Sequence, residues 1–407
     1  MKSKNPLYVG MATVPVFYAI TSGILTMLIV WKGAASLNLD DWGVAPTVGT
    51  IFGVAGGVAL LATLFLLPYI YVKLVREDWK LKQWDILRGP FLLRRPDAGP
   101  IPAGRQLVPD YYAGHATLES IAAGNHARDS ASDEEARSDS DGASGEKAAA
   151  LYGRQPSVAA VVPAISNEPV VPVKRKWYEP VQLWDTMKWT FFRGVMVDIV
   201  AEQTHTNEPK FLTRLLVGNN LAHKHAIIER HDLKVEHLYS FLQVMTAATA
   251  SFAHGANDVS NAMGPLAAIY NVYQTNTTGE DSPVPIWILV LGGAALSIGL
   301  WTYGYNLMRN LGNRITLHSP SRGFCMELGA AVTVVIATRL SLPVSTTQCI
   351  IGATVGVGLC SGDYKAINWR MVVWAYAGWF ITLPCTAVIS GLIMAFTINA
   401  PSWAAPL

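Results

Sequence analysis

Long apolar runs separated by polar segments dominate the pattern of this chain. Four runs carry no charged side chain: residues 8–31, 47–72, 286–308 and 371–397. About 20 apolar residues in helical form cross the hydrocarbon core of a bilayer, so each run predicts a transmembrane helix. All four also contain small residues, which let membrane helices approach one another closely.

Two further apolar regions are interrupted by polar residues. Residues 238–273 contain His-Gly-Ala-Asn-Asp at 254–258, and residues 323–359 are interrupted around 339–347, where Pro343 lies. Irregular backbone at membrane depth has to be buried in protein or line a wet cavity, because lipid cannot satisfy free peptide groups. We therefore expect discontinuous helices or re-entrant hairpins in these two regions, and a functional site beside them.

The positions of basic residues predict the orientation. Lysine and arginine cluster within residues 73–95, 309–322 and 365–370, whereas the loops 32–46 and 271–285 are poor in them. The positive-inside rule places the three basic clusters in the cytoplasm and the two loops outside. The glycosylation sequon at Asn276 agrees with an external loop. Residues 323–359 then have to leave and re-enter on the cytoplasmic side, as a hairpin does, and the C-terminus lies outside.

These features predict an all-α integral membrane protein with three parts. Residues 1–74 form two transmembrane helices, residues 75–236 form a cytoplasmic loop, and residues 237–398 form a second transmembrane unit. The stretch 96–175 is polar, with a proline-rich section and an acidic, serine-rich run, and its composition predicts disorder. Residues 184–200 predict an amphipathic helix, either at the membrane interface or docked on the cytoplasmic side of the bundle.

Composition agrees with a membrane protein and excludes other classes. Hydrophobic residues make up 51% of the chain and charged residues 15%, and the mean hydropathy is +0.28. The balance of 31 basic and 29 acidic residues argues against a nucleic-acid-binding protein. No nucleophile with its base, metal triad or glycine-rich phosphate loop is present, so we expect no enzyme and no cofactor.

Cysteines and histidines do not predict a metal centre. The cysteines lie in apolar surroundings without a CxxC pair, so we expect small buried side chains rather than disulfides or zinc ligands; they are Cys325, Cys349, Cys360 and Cys385. Four histidines lie among charged residues and indicate a solvated helix rather than metal ligands; they are His223, His225, His231 and His237.

The segment with most functional chemistry is residues 255–262, Gly-Ala-Asn-Asp-Val-Ser-Asn-Ala. A carboxylate at the bilayer centre costs about 3 kcal/mol on insertion scales, so Asp258 predicts a function. Together with the amides of Asn257 and Asn261 it offers hard oxygen ligands for a small alkali cation. A broken helix would also offer free N–H groups to an anion.

Two other segments carry polar groups in apolar surroundings. Residues 342–348, Leu-Pro-Val-Ser-Thr-Thr-Gln, predict the start of a half-helix whose hydroxyls and free N–H groups can bind an oxyanion; a plain Ser/Thr cap is the alternative. Glu327 is an acid in an apolar arm. It either pairs with Arg322 or Arg339 or helps to hold a cation, and we favour the cation.

Residues 241–246 and 251–269 closely resemble the signature of the inorganic phosphate transporter family, and specifically its fungal phosphate-repressible sodium/phosphate symporter branch. Residues 343–349, Pro-Val-Ser-Thr-Thr-Gln-Cys, are similar to the family's hydroxyl motif, and Glu327 falls at a family glutamate. The resemblance implies sodium-driven phosphate uptake by alternating access across the plasma membrane. It implies phosphate ligands at Ser345, Thr346, Thr347, Gln348, Asn257 and Asn261, and sodium ligands at Asp258, Asn257, Asn261 and Glu327.

Family members carry two inverted repeats, each with its own motifs, and this chain has one copy of each motif. The fold is therefore expected to be a helical bundle with broken helices and a re-entrant hairpin, corresponding to the second part of an inverted-repeat transporter. We expect a truncated chain with half of a site, or a homodimer that completes it. The alternatives are proton coupling, another oxyanion such as sulfate, and a non-transporting scaffold or nutrient sensor.

Overall fold

The computed structural model describes residues 4–31, 43–113, 115, 117–118, 221–278, 283–304, 314–340 and 342–399. All regular secondary structure in these ranges is helical. The eight α-helices are α1 Pro6–Trp31, α2 Val44–Leu74, α3 Leu221–Ile227, α4 Leu233–Thr275, α5 Ile286–Gly304, α6 Pro320–Arg339, α7 Thr346–Cys360 and α8 Trp369–Asn399. Single π-turns lie within α2 at Ala62–Leu66 and at the end of α5 at Leu300–Gly304, and 3-10 segments span Gln83–Arg94 and Tyr364–Ala366.

Five helices are long and apolar enough to cross a membrane: α1, α2, α5, α6 and α8. Three of the four uncharged runs lie within α1, α2 and α8, and the described part of the fourth lies within α5. The predicted helical membrane architecture is confirmed. Within its most apolar stretch α8 has no buried residue, and α2 and α5 have few. Such continuous apolar surfaces suit contact with lipid.

Helix α1 runs parallel to α4. Gly10 faces Leu238 near the start of both helices, and the Tyr18 hydroxyl donates to the Phe241 carbonyl at 3.0 Å. Further along, Ile24 packs against a cluster formed by Ala253 of α4 and Val334 and Val335 of α6. Helix α2 returns in the opposite direction, so that the Tyr69 ring lies 6.0 Å from the Phe241 ring. The end of α2 and the start of α4 therefore lie at one face, which we call the loop face.

Helices α6 and α7 form an antiparallel hairpin that starts and ends at the loop face. Gly329 of α6 faces Ala353 of α7 midway along the hairpin. At its open end, the Asn368 backbone N–H donates to the Ile315 carbonyl at 2.8 Å. The connection between the two helices contacts α4 at Asn261, and α4 continues for 14 residues, about 21 Å, beyond that contact. The hairpin thus stops well short of the far end of α4, in agreement with a re-entrant segment.

Helix α4 is continuous for 43 residues, so the predicted break at residues 254–258 is wrong. No proline lies within those residues, and Gly255 alone lowers helix propensity by only about 1 kcal/mol. The polar side chains also bond within the helix. The Ser260 hydroxyl donates to the Ala256 carbonyl at 2.7 Å, and the Asn261 amide donates to Asn257 Oδ1 at 3.0 Å. The broken element is the α6–α7 hairpin, where Pro343 lies between the two helices.

Residues 96–113 do not fit the disorder predicted from residue 96 onward, because Tyr112 is 4% exposed and packs at the loop face. Two histidines expected to be solvated, His225 and His237, are buried there as well: His237 contacts Tyr111 of this segment, and His225 contacts His115. The rest of the predicted disordered stretch and the predicted helix at 184–200 lie outside the described residues.

All the cysteines are free thiols, and none is fully buried: Cys325, Cys360 and Cys385 are exposed and Cys349 is half-buried. The expectation of buried side chains was therefore wrong. An exposed position on an apolar membrane helix gives a cysteine the same apolar surroundings in lipid that a buried position gives in protein.

Candidate functional site

The start of α7 forms one wall of the candidate site. Pro343 prevents a regular helix through the connection, and Ser345 is the N-cap residue of α7. Its hydroxyl accepts from the Gln348 backbone N–H at 3.4 Å. Thr347 is half-buried and Gln348 is exposed. The cap leaves other N–H groups of the first turn without helical partners, and these carry the positive end of the helix dipole.

Asp258 of α4 lies against this helix start. The Thr346 hydroxyl, 6% exposed as a residue, donates to Asp258 Oδ1 at 3.3 Å. One helical turn before it on α4, His254 Nε2 lies 2.6 Å from Asp258 Oδ2. The Asp258 side chain is 32% exposed. The carboxylate therefore has two protein partners and an open side.

The two asparagines tie α4 to both arms of the hairpin. Asn261 Nδ2 donates to the Val344 carbonyl at 3.3 Å, and Asn257 Nδ2 donates to the Thr338 hydroxyl at 3.4 Å. Asn257 is buried, whereas Asn261 is exposed. The Asn257 side-chain oxygen accepts from Asn261 Nδ2 at 3.0 Å, so the two amides are also joined to each other along α4.

A cavity of about 330 Å³ opens beside this group. Ser251, His254 and Thr346 are the polar residues of its lining. The remaining walls are small and aliphatic residues of α4, α5, α6 and α7, such as Leu296 and Ala331. Its volume is about ten times that of one water molecule, so a hydrated ion or a small oxyanion fits. The site thus combines a carboxylate, amide oxygens, hydroxyls and a helix N-terminus next to an open volume.

Glu327 does not join this group. Its carboxylate accepts from the Thr246 hydroxyl at 2.7 Å and from Gln243 Nε2 at 3.4 Å. Thr246 precedes Asp258 by 12 residues on the continuous helix α4, which is about 18 Å along its axis. The structure therefore brings Asp258, Asn257, Asn261 and the α7 start together and places Glu327 elsewhere.

The alternative ion pair for Glu327 is not formed with Arg322. The guanidinium of Arg322 donates to the Glu229 carbonyl at 2.6 Å and to the Ser319 hydroxyl at 3.3 Å. The side chain of Arg339 lies outside the described residues. Among the described side chains, the partners of the Glu327 carboxylate are the neutral donors Gln243 and Thr246.

Sequence reasoning missed three residues that contact the predicted ligands: His254, Gln243 and Thr246. The four-residue spacing of His254 and Asp258 was a usable signal, because residues four apart meet on one face of a helix. It was missed because the segment was expected to be broken. The contacts of Gln243 and Thr246 depend on the packing of α4 against α6, where Gly323 leaves room for the Gln243 side chain.

Comparison with known proteins identifies the class to which this fold and site belong. The model of the phosphate transporter family matches residues 1–390, and the chain belongs to that family. The phosphate-repressible phosphate permease pho-4 of Neurospora crassa is 46% identical over 98% of this chain and 69% of its own length. The relatives of this chain in the family are transporters and permeases, not enzymes.

Other relatives match a smaller part of this chain. Sodium-dependent phosphate transporter 1 of Homo sapiens is 46% identical over 40% of this chain and 24% of its own length. The solved structure of a sodium-dependent phosphate transporter is 28% identical, with a TM-score of 0.39, over 53% of this chain and 57% of that chain. The chain thus spans only part of the length of these proteins.

Proposed function

We propose that this chain transports inorganic phosphate across the plasma membrane, in the uptake direction, coupled to sodium. The observation that carries the proposal is the contact between Thr346 and Asp258. Thr346 lies at a helix start, which can bind an anion, and Asp258 is a carboxylate, which can bind a cation. Permeases and sodium-dependent transporters of phosphate among its relatives support the same activity.

The roles of the site residues follow from their chemistry. Asp258 with the oxygens of Asn257 and Asn261 binds sodium, because alkali cations prefer carboxylate and carbonyl oxygens. Ser345 through Gln348, together with the asparagine amides, bind phosphate through hydroxyl and N–H donors. Glu327 binds a second cation at its separate position, where Gln243 and Thr246 add neutral ligands.

Electrostatics explains why the two ions would move together. Phosphate next to the Asp258 carboxylate places like charges a few ångströms apart in a low-dielectric site, which is unfavourable without a cation between them. Sodium at Asp258 removes this repulsion and makes phosphate binding favourable. Alternating access then follows if only the doubly loaded or the empty site allows the hairpin and α4 to move relative to the rest of the bundle.

The described residues supply ligands on one side of the site, since Asp258 and Asn261 keep an open side. We infer that a second protein surface completes the coordination shell during transport. A second copy of the chain is the arrangement we test first, by cross-linking Asn261→Cys to itself in membranes. A non-transporting scaffold is the weaker proposal, because it gives no reason to keep these polar side chains within an apolar helix.

Proton coupling is the second candidate, and one contact favours it. His254 Nε2 lies 2.6 Å from Asp258 Oδ2, so a proton held by this pair would neutralise the carboxylate as sodium does. Another oxyanion such as sulfate would meet the same donors as phosphate.

Uptake of radiolabelled phosphate into proteoliposomes tests these proposals together. We expect uptake with an inward sodium gradient, none with potassium in place of sodium, and no inhibition by excess sulfate. Uptake driven equally by a proton gradient without sodium would establish proton coupling instead. No phosphate uptake under either gradient, from protein that reconstitutes in a monodisperse state, would refute transport by this chain.

A further inference from the structure

The chain that follows α2 turns back along that helix. We call residues 79–95, which include the 3-10 segment Gln83–Arg94, the α2 arm. Gly89, in the middle of the arm, has a positive φ of 50° and lies directly against α2. A Cβ atom at this position would lie 3.0 Å from the Leu64 carbonyl oxygen and from the Phe65 ring, closer than side-chain carbons normally approach. Glycine at residue 89 therefore lets the arm contact a membrane helix.

The contact lies well inside the end of α2. Leu64 precedes the last residue of α2, Leu74, by ten residues, which is about 15 Å along the helix axis. Helix α2 has 31 residues and is about 46 Å long, close to the thickness of a bilayer with its headgroups. The arm then returns to the end of α2, where Arg76 Nη1 donates to the Leu93 carbonyl at 2.9 Å. The middle of the arm therefore reaches the level where lipid headgroups meet acyl chains.

The arm has apolar side chains on an inner and on an outer side. Ile86 and Leu92 pack into the core cluster that contains side chains of α2. Trp84, Leu87 and Phe91 are instead 82%, 70% and 74% exposed. Trp84 and Leu87 are three residues apart and share one side of the 3-10 helix. Large exposed apolar side chains that lie close together indicate contact with a partner or a membrane, and tryptophan is enriched at membrane interfaces.

Basic side chains flank this outer surface. The acid of the arm, Asp85, pairs with Arg88 at 3.4 Å and with Arg95 at 3.4 Å. Three other basic residues of the arm are exposed and form no ion pair with any described residue: Lys80, Lys82 and Arg94. Long basic side chains keep their charged ends at headgroup level while their stems lie on apolar surface. The exposed charge around the apolar side chains therefore complements anionic phosphates.

We propose that the outer surface of the α2 arm binds the anionic phospholipids of the leaflet at the loop face. Trp84, Leu87 and Phe91 insert among the acyl chains, and the three basic residues bind the headgroup phosphates. The occupant is the bilayer rather than another protein, because the arm lies against a membrane helix at headgroup depth and its charges without an ion partner are all positive. The inference rests on the membrane-spanning fold and is independent of the proposed transport.

Spin labels on the outer surface test the contact with lipid. The four native cysteines are replaced by alanine, a nitroxide is attached to Leu87→Cys or Phe91→Cys, and the full chain is placed in nanodiscs of phosphatidylcholine and phosphatidylglycerol. Power saturation compares accessibility to oxygen, which dissolves in lipid, with accessibility to a nickel chelate, which stays in water. Asp97→Cys, at an exposed residue two positions after the arm, is the matched control. We expect an oxygen-to-nickel ratio about tenfold higher at both arm positions than at the control.

Two results would overturn the proposal. A ratio at both arm positions equal to that of the control would place the outer surface in water. Labels that neither oxygen nor the nickel chelate reaches would place this surface against protein, for example a second copy of the chain. The use of two arm positions excludes a local effect of either substitution as the cause.

A photoactivatable phosphatidylglycerol tests the role of the charges. Mass spectrometry measures its cross-linking to residues 79–95, with a phosphatidylcholine analogue as the comparison. We expect Lys82→Gln combined with Arg94→Gln to lower the phosphatidylglycerol yield about fivefold, which corresponds to about 1 kcal/mol. Lys365→Gln combined with Arg370→Gln removes two exposed basic residues elsewhere at the loop face and should leave the yield unchanged. Equal yields from the two analogues, or equal losses in the two double variants, would overturn the recognition of anionic headgroups.

Gly89→Ala tests whether the contact with α2 sets the depth of the arm. The added methyl group would collide with α2, so we expect the label at Leu87→Cys to lose most of its preference for oxygen. Gly99→Ala is the matched control, because Gly99 also has a positive φ, of 79°, but has nothing within 4 Å of its Cβ position. An unchanged ratio in Gly89→Ala would contradict docking on α2. If this variant fails to accumulate, the labels and cross-links on the native arm still decide the proposal.

Discussion

Two carboxylates on the apolar helices, Asp258 and Glu327, have opposite kinds of surroundings. Asp258 faces the start of a helix from another element, has a histidine as partner, and keeps an open side next to a cavity. Glu327 is held by two neutral donors, Thr246 and Gln243, within the α4–α6 contact. Asp258 contacts a helix start of the kind that binds anions, whereas Glu327 contacts neutral donors and lines a different cavity, of about 490 Å³. Glu327 is better suited to a fixed cation position or to holding α4 against α6.

Removal of the Asp258 charge should have the largest effect. We expect Asp258→Asn to lower sodium-driven phosphate uptake by about a hundredfold, because a lost charge at a desolvated ionic contact typically costs 2–5 kcal/mol. Uptake of radiolabelled phosphate into proteoliposomes measures this loss of activity. Asp363→Asn, which changes a carboxylate that caps a 3-10 turn at the loop face, is the control and should retain uptake. Full uptake by Asp258→Asn with unchanged sodium dependence contradicts the assignment.

Loss of the Glu327 hydrogen bond should have a smaller effect. Thr246→Val keeps the shape of the side chain but removes the 2.7 Å donor to Glu327. We expect uptake to fall about tenfold, because the half-buried carboxylate then keeps only the longer hydrogen bond from Gln243 among its described partners. Thr249→Val is a close control, since Thr249 is equally buried one turn away on α4 and donates only to the Met245 carbonyl. Equal effects of the two substitutions would mean that Thr246 matters for packing alone.

The hydroxyl that joins the hairpin to Asp258 should affect sodium more than phosphate. Thr346→Val is expected to raise the sodium concentration for half-maximal uptake about fivefold, the effect of one lost hydrogen bond. Thr346→Ser, which keeps the hydroxyl, should leave the sodium concentration for half-maximal uptake close to that of the unmodified chain. Thr354→Val, further along α7, should leave the sodium dependence unchanged. A change confined to the phosphate dependence would mean that Thr346 acts on phosphate alone and does not influence the sodium ligands through Asp258.

The smallest expected effect concerns pH at the loop face. Burial lowers the pKa of His231 below its usual 6.5, and the charge of Arg322 acts in the same direction. The folded state therefore favours neutral His231, and its contribution is complete above about pH 6.5 and decreases as the pH falls below that value. We expect the melting temperature of the purified chain to fall from pH 7 to about pH 5, and His231→Gln to reduce this slope. His223→Gln changes an exposed histidine nearby and should leave the slope unchanged. An equal dependence of melting temperature on pH in the unmodified chain, His231→Gln and His223→Gln would exclude His231 as the cause.

The sequence predicted the membrane helices well and the internal geometry of the site only in part. Apolar length decides whether a helix crosses a bilayer, so the spans and the hairpin could be read from hydropathy and Pro343. The continuity of α4 could not be predicted from the sequence, because it depends on whether polar side chains form hydrogen bonds within the helix, as Ser260 and Asn261 do. The polar character of residues 254–258 was therefore mistaken for a break.

The separation of Glu327 from Asp258 could not be predicted from the sequence either. Both are acids in apolar segments, and only the register of α6 against α4 places Glu327 opposite Gln243 and Thr246 instead of Asp258. The burial of Tyr112 was hidden for a related reason, since composition describes the average of a polar stretch and not the few side chains that dock.

Binding of radioactive sodium to the purified full chain in lipid nanodiscs tests the central claim, that Asp258 and the α7 start form the ion site, most directly. We predict saturable sodium binding that phosphate enhances, that Asp258→Asn abolishes, and that Asp363→Asn leaves intact. Saturable binding of the same affinity in Asp258→Asn, with phosphate enhancement preserved, would place the coupling ion elsewhere and contradict the account.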